Sequence, residues 1–273
     1  MSAQPPFEMP EPSRGSLPEP VVPAALYDEA YYREANHGFE EWNASEGAQL
    51  AGIYPGVLKL ARFRPGEVLV DLGTGRGEML AVAVQQGAGR AIGVEYSPAA
   101  VAMTHKTLEK QGIVERAEII LGDVRSIPIP DAIADLVTMI EVVEHLSPVE
   151  LHLALVEARR ILKPGGRIFA HTMPNRLIYT FTYRVLRLLR PRWPADPRND
   201  YERTMHVNEQ SARSLRNALR RAGFGDIHVR LGDWIYDDFL PDAWAKALYR
   251  RASRLRLLRP LVVGDLFADA AKR

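Results

Sequence analysis

The chain has 273 residues, 47% of them hydrophobic, which suits one α/β unit with additions around a well-buried core. Its formal net charge of +1 argues neither for nor against a nucleic-acid partner, and the absence of cysteine excludes disulfides, thiolate metal sites and cysteine nucleophiles. No apolar run reaches the roughly 18 residues of a membrane-spanning helix and the N-terminus carries no signal-peptide core, so a cytoplasmic protein is expected.

Residues 1–23 hold seven prolines and few aliphatic side chains, the composition of a disordered or loosely packed arm. From Ala24 to Arg62 the chain turns helical and aromatic, with Tyr27, Tyr31, Tyr32, Phe39, Trp42 and Tyr54, and reads as an N-terminal cap (24–62). Such aromatics more often pack a cap onto its neighbour than touch a ligand. Val68, Leu69 and Val70 then form the short apolar run of a buried parallel strand ending at Asp71. Gly73, Gly75 and Gly77 alternate through a tight turn before an apolar helical pattern begins. Glycine there allows positive φ and lets a ligand approach with no Cβ in the way. A second apolar run, Ala91 to Val94, ends at Glu95, 24 positions after Asp71. That is the reach of a carboxylate accepting hydrogen bonds from ribose hydroxyls.

The alternation continues. Ser97 and Pro98 look like the N-cap and first residue of a helix over Ala99–Gln111. A third strand, Ala117–Leu121, leads into Gly122, Asp123 and Val124, and a fourth, Ala134–Ile140, ends in EVVEHL. Ser147, Pro148 and Glu150 have the pattern of a capping box. Ile161–Gly166 (ILKPGG) reads as the turn into a fifth strand, followed by a helix near Asn208–Ala222, a strand at Ile227–Leu231 and a last strand near Leu266. Strands alternating with helices predict an α/β fold, a mostly parallel sheet with helices on both faces. The N-terminal cap precedes it, the main domain runs over 63–273, and helical insertions fall at 175–205 and 237–263.

Two nucleotide cofactors compete for the glycine turn. Dinucleotide oxidoreductases use GxGxxG, with a pyrophosphate at the helix N-terminus. Here the spacing is GxGxG, and Asp71 precedes the first glycine by two. A carboxylate there repels a pyrophosphate but suits an ammonium or a sulfonium, so the ligand expected is a nucleoside carrying a cationic amino acid. The pattern resembles the class I S-adenosylmethionine-dependent methyltransferases, closely over Glu67–Phe169 and again from the helix near Asn208. The resemblance implies a Rossmann-like seven-stranded sheet and S-adenosylmethionine as cofactor. It implies that Gly73, Thr74, Gly75 and Gly77 form the cofactor turn, with Asp71 reaching the amino-acid end. Glu95 then holds the ribose, Tyr96 lies against the adenine face, Asp123 with Val124 reads the adenine edge, and Ile140 and Glu141 close the pocket near the methionyl part. A nicotinamide-dependent oxidoreductase and a non-catalytic cofactor-binding module are the alternatives from other classes.

Glu141, Glu144 and His145 follow the fourth strand, where a methyl acceptor would lie. Three readings stay open. The two glutamates cap the turn while His145 packs under the cofactor; or His145, with Glu144, acts as general base, its ordinary near-neutral pKa suiting a hydroxyl; or the cluster binds a divalent cation. The ExxEH spacing is similar to that of the ubiquinone-biosynthesis-type O-methyltransferases and of the metal-assisted small-RNA ribose 2′-O-methyltransferases. The latter add a histidine after the fifth strand, for which His171 is the first candidate and His206 the second. The metal candidates are therefore Glu141, Glu144, His145 and His171. The expected partner is a small-molecule methyl acceptor with a lipid-like, polyketide or sugar hydroxyl, and nucleic acid ranks last.

Arg176–Trp193 carries five arginines and no acid, and Ala243–Pro260 six basic residues and no acid. Ile178, Phe181, Val185, Leu188 and Leu189 recur at helical spacing and predict a basic amphipathic helix. Such a helix either packs its apolar stripe under a solvated arginine face or contacts an anionic membrane surface. The ubiquinone-type group carries a membrane-contacting segment in the corresponding place.

Overall fold

A computed structural model describes residues 17–34, 38–232 and 240–273. Three short helices, α1 (Glu29–Glu34), α2 (Phe39–Ser45) and α3 (Tyr54–Leu60), precede the sheet. Then follow β1 (Val68–Leu72), α4 (Glu78–Gln85), β2 (Arg90–Glu95), α5 (Pro98–Lys110), β3 (Ala117–Leu121), β4 (Ala134–Ile140), α6 (Pro148–Ile161) and β5 (Leu162–Thr172). The chain continues through α7 (Tyr183–Leu189), α8 (Asp200–Met205), α9 (Ala212–Arg221), β6 (Gly225–Leu231), α10 (Ala243–Ala252), α11 (Arg259–Val262) and β7 (Leu266–Ala271).

Among the described residues the strands form one sheet of seven, in the order β3–β2–β1–β4–β5–β7–β6. β7 runs antiparallel to both neighbours, and the other pairings are parallel. This is the Rossmann-like sheet expected. Side chains alternate along each strand, so consecutive residues feed opposite cores. Val70, Val137 and Ile168 pack under α6 and α9, through Leu155 and Leu219 among others. Leu69, Leu136 and Phe169 face α3, α4 and α5, through Leu58, Leu80 and Leu108. Strand order reverses between β1 and β4, which opens a cleft beyond their carboxyl ends.

Local chemistry sets the helix starts. Ser97 Oγ accepts from the Ala100 amide at the head of α5, and Ser147 with Glu150 makes the full capping box of α6. The ILKPGG segment departs from the expected turn: β5 already begins at Leu162. A bulge between the Ala134–Leu162 and Leu136–Arg167 pairs takes up the glycines.

Residues 1–16 of the predicted arm lie outside the described residues. Residues 17–23 are held against the protein, and Val22 is buried in a cluster with Tyr27, Tyr32, Trp42 and Met205. The two insertions pack on each other through Ile178, Tyr179, Tyr183, Trp193, Tyr249 and Val262; residues 237–239 of the second lie outside the described residues. The predicted stripe along 176–193 needs correction. A π-helical turn at Ile178–Thr182 shifts the phase ahead of α7 and buries Tyr179 and Tyr183 beside Ile178. Phe181, Val185, Leu188 and Leu189 are left exposed.

Candidate active site

β1 delivers Asp71 to the foot of the glycine turn. Gly73 has φ +76°, and a Cβ there would stand 2.4 Å from Val142 Cγ2. Only glycine fits, for both reasons. Thr138 Oγ1 and Thr74 Oγ1 donate to the Asp71 carboxylate at 2.6 and 3.1 Å. Burial outweighs those donors and pushes Asp71 up to about 7. At the end of β2, Glu95 accepts from the Gly75 amide at 3.0 Å and the Ser97 amide at 2.9 Å. Burial raises its pKa in spite of these contacts.

Eight of the predicted cofactor residues line one cavity at this edge: Gly73, Gly75, Glu95, Tyr96, Asp123, Val124, Ile140 and Glu141. Asp71, Thr74 and Gly77 stand behind the turn and shape it without lining the cavity. Asp123 is engaged by a residue the sequence reading missed. Arg125 Nε and Nη2 fork onto its carboxylate, and the Arg125 amide donates to Oδ1 at 2.8 Å. Asp196 and Arg198 repeat this D-x-R arrangement, so the signal was present in the sequence. Arg125 also ties down the N-terminal segment. Its Nη1 donates to the Pro18 carbonyl at 2.9 Å and meets Glu150 Oε1 at 3.2 Å, and Glu150 in turn accepts from the Val21 amide at 2.9 Å. Tyr96 Oη donates to the Val22 carbonyl at 2.7 Å. Residues 18–27 therefore form a strap along one wall of this cavity, with Pro20, Val22 and Tyr27 lining it.

A second cavity of about 690 Å³ opens beside it, and Tyr31, Glu141 and His145 belong to the walls of both. Glu141 sits at φ +55°, a left-handed conformation that costs a non-glycine residue about 1–2 kcal/mol. Its amide donates to the His171 carbonyl at 3.0 Å, and its side chain stands where the cavities meet. Glu144 is buried and accepts from Thr172 Oγ1 at 2.7 Å. Burial, and then the Glu141 charge, push it up to about 8. His145 moves the other way: burial, then His206, bring it down to about 3. The near-neutral imidazole expected from sequence is thus a neutral ring throughout the physiological range.

His171, first choice for a further ligand, is turned away from the cluster. Its Nε2 meets Asp265 Oδ1 at 2.8 Å and its ring stacks on Phe267, while Nδ1 stays 3.9 Å from Glu141. Burial lowers its pKa, but the Asp265 hydrogen bond and the Glu141 charge leave it raised overall. His206 takes the place instead. Glu144, His145 and His206 each offer a donor atom, all within 4.8 Å of one another. Burial likewise pushes His206 down to about 4. The Nδ1 atoms of His145 and His206 are buried with no hydrogen-bond partner.

A doubly wound sheet, a glycine turn at its switch point, a buried acid on the second strand and an acid at the end of the third define a nucleoside-cofactor protein of the methyltransferase kind. The donor set fits S-adenosylmethionine: Glu95, Asp123 and Glu141 line the one cavity, carboxylates suited to hydroxyl, amine and ammonium groups and repelling a pyrophosphate. The chain belongs to the methyltransferase domain family, whose profile matches residues 47–229. It is a class I S-adenosylmethionine-dependent methyltransferase by fold and family, with S-adenosylmethionine as cofactor.

Among its relatives, 27-O-demethylrifamycin SV methyltransferase of Amycolatopsis mediterranei is 28% identical over 153 residues, 53% of each chain. The ubiquinone/menaquinone biosynthesis C-methyltransferase UbiE of Cupriavidus metallidurans is 27% identical over 161 residues, 50% of this chain and 65% of its own. A transposon protein of Streptomyces fradiae is 38% identical over 38% of this chain. The chain spans only about a third to three-fifths of the length of the first curated relatives it matches. Geranyl diphosphate methyltransferase, solved with GPP and sinefungin, shares the fold at TM-score 0.57 and 18% identity, over 81% of this chain and 76% of its own. Phosphoethanolamine N-methyltransferase 2 of Haemonchus contortus does so at TM-score 0.59 and 14% identity, over 91% and 57%.

Proposed function

We propose that the protein transfers a methyl group from S-adenosylmethionine to a hydroxyl of a small molecule, with a lipid-like, polyketide or sugar scaffold. The observation that carries this reading is the junction at Glu141, His145 and Tyr31, where a cofactor cavity and an acceptor cavity share a wall. When bound, S-adenosylmethionine would supply an electrophilic methyl to the acceptor oxygen, the methyl–sulfur bond breaking in line and S-adenosylhomocysteine leaving. The protein's own task is chiefly positioning. Glu95 holds the ribose, Asp123 with Val124 receives the adenine edge, and Glu141 faces the methionyl end. His145 borders both cavities as a neutral ring and packs beside the acceptor hydroxyl, whose hydrogen bond goes to Glu144. Glu144 is the adjacent carboxylate that takes the proton. Residues 175–205 set acceptor specificity, since Asn199, Tyr201, Glu202 and Met205 wall the second cavity.

Methyl transfer to an acceptor panel, with the methylated atom identified by NMR, tests this reading; a carbon- or nitrogen-methylated product would refute the hydroxyl assignment. Glu144→Gln is expected to lower single-turnover transfer by about 10²–10⁴-fold while S-adenosylhomocysteine affinity stays unchanged.

A metal-assisted variant of the reaction is supported by the Glu144, His145 and His206 donors, two imidazoles and one carboxylate within reach of a single ion. Those residues, with Glu141 beside them, would hold a divalent cation that lowers the acceptor's pKa. Calorimetry with Mn²⁺ alone tests it: binding in the wild type and not in His206→Ala supports the variant, and no binding removes it.

A peripheral contact with an anionic membrane is supported by the exposed side chains of the insertions. Leu188 is 80% exposed, Leu189 67% and Leu257 92%, all flanked by arginines. Among the described residues, no helix is long and apolar enough to cross a membrane. Salt-sensitive co-sedimentation with anionic but not neutral vesicles is the expected result, and its absence would refute the contact.

A further inference from the structure

The charge of the acceptor cavity departs from that of the chain. The sequence as a whole is nearly neutral. Yet the described wall of this cavity carries Glu34, Glu40, Glu41, Glu141, Glu144 and Glu202, with no lysine or arginine. Only Glu141 of the six also faces the cofactor, so the cofactor's own positive charges do not account for the other five.

These carboxylates fall into two groups. Glu202 is committed to structure: it accepts from Tyr179 Oη and caps α8 through the Asn199 amide. Glu34, Glu40 and Glu41 stand exposed at the mouth, and none has a cationic partner among the described residues. A divalent ion held by Glu144, His145 and His206 would leave these three unneutralised. Beside them the rings of Tyr31 and Tyr201 meet at 5.7 Å, with Phe39 in the same wall. Carboxylates with aromatic faces form a surface that attracts an ammonium group by Coulomb and cation–π terms together. A neutral polyol needs donors as well as acceptors, which carboxylates do not supply, and an anion is repelled. A further polar group without a partner in the protein, the buried Nδ1 of His145, belongs to the residue that borders both cavities.

We propose that the acceptor is a cation: a small molecule carrying an ammonium group, which Glu34, Glu40, Glu41 and the Tyr31 and Tyr201 rings hold while its hydroxyl reaches Glu144 and His145. Amino sugars and amino alcohols are the chemical class. The proposal rests on the methyl-transfer reading, because it assigns the second cavity to the acceptor. It also explains how a cation can approach a sulfonium-bearing cofactor: Glu141, which borders both cavities, offsets the repulsion.

The test is ligand-observed NMR on the full chain loaded with S-adenosylhomocysteine, with EDTA present to exclude divalent ions. The probes are matched pairs: glucosamine against N-acetylglucosamine, and tyramine against N-acetyltyramine. Each amine is expected to bind about tenfold more tightly than its acetylated partner, a preference that salt weakens. In E40Q/E41Q the preference should fall to about threefold or less. Both residues are exposed and unpaired among the described residues, so the melting temperature should not change. Equal binding of amine and amide, no amine binding at millimolar concentration, or a preference untouched in E40Q/E41Q would each overturn the proposal. Failure of S-adenosylhomocysteine to load, measured separately by calorimetry, would instead overturn the methyl-transfer reading.

Discussion

Replacing Glu95 removes the carboxylate that the account sets against the ribose. In the protein alone, Glu95 already satisfies the Gly75 and Ser97 amides at 3.0 and 2.9 Å, so Glu95→Ala acts twice. Two buried N–H groups lose their acceptor, at about 1–3 kcal/mol each, offset by the relieved cost of burying a charge. A net loss of about 2 kcal/mol, or about 4–8 °C in melting temperature, is expected. The ribose hydroxyls lose up to two charge-assisted hydrogen bonds of about 1.5–3 kcal/mol each. Some of that strength is already shared with the amides, so a loss of about 3 kcal/mol, roughly 100-fold in Kd, is expected. Glu95→Gln separates the two effects. It keeps one acceptor oxygen but points an NH₂ group at one of the amides, and it should fall between wild type and alanine in both measurements. Titration calorimetry with S-adenosylhomocysteine, run below the melting temperature of each variant, reads the binding term. A folded Glu95→Ala protein that binds within about threefold of wild type would refute the ribose assignment.

Three further outcomes follow from the same geometry. Asp71 has a folded-state pKa near 7, above its unfolded value, so its contribution is favourable at acid pH and is lost as pH rises through 7. Asp71→Asn, which can still pair with Thr138 and Thr74, should melt several degrees above wild type at pH 8 and equal it near pH 4; a constant difference across that range would contradict the raised pKa. Gly73→Ala drives a Cβ to 2.4 Å from Val142 Cγ2 at positive φ, and should cost about 1–3 kcal/mol and most of the cofactor affinity. Part of that affinity should return in a Gly73→Ala/Val142→Ala double variant, as calorimetry would show. Arg125→Ala frees Asp123 and unpins the strap at Pro18, so stopped-flow measurements should find S-adenosylhomocysteine leaving about tenfold faster; an unchanged rate would show that the strap does not limit exit.

Much of the cofactor side could be read from the sequence because local rules decide it. Apolar strand runs, glycines at fixed offsets and an acid at the next strand's end leave little freedom, and Gly73, Glu95 and Asp123 stand at the strand ends where that pattern places them. Long-range packing decides the rest. Nothing near His171 announces that Asp265, 94 residues away, takes its Nε2, or that His206 reaches His145 in its place. The phase of the 176–193 helix depended on a π-helical turn, which adds a residue to one turn and rotates everything after it. His145 was expected near neutral on its intrinsic pKa, but only the burial around it could reveal how far it moves. Arg125 lay within reach of sequence reasoning, since aspartate two residues before arginine builds the same turn at Asp196 and Arg198.

The central claim is that the two cavities meet where a methyl group passes between them. A crystal structure of the full chain with S-adenosylhomocysteine tests it most directly. Ribose hydroxyls on Glu95, adenine against Asp123 and Val124, and the sulfur facing the opening bounded by Glu141, His145 and Tyr31 are the expected result. A ribose away from Glu95, or a sulfur turned from the second cavity, would contradict it.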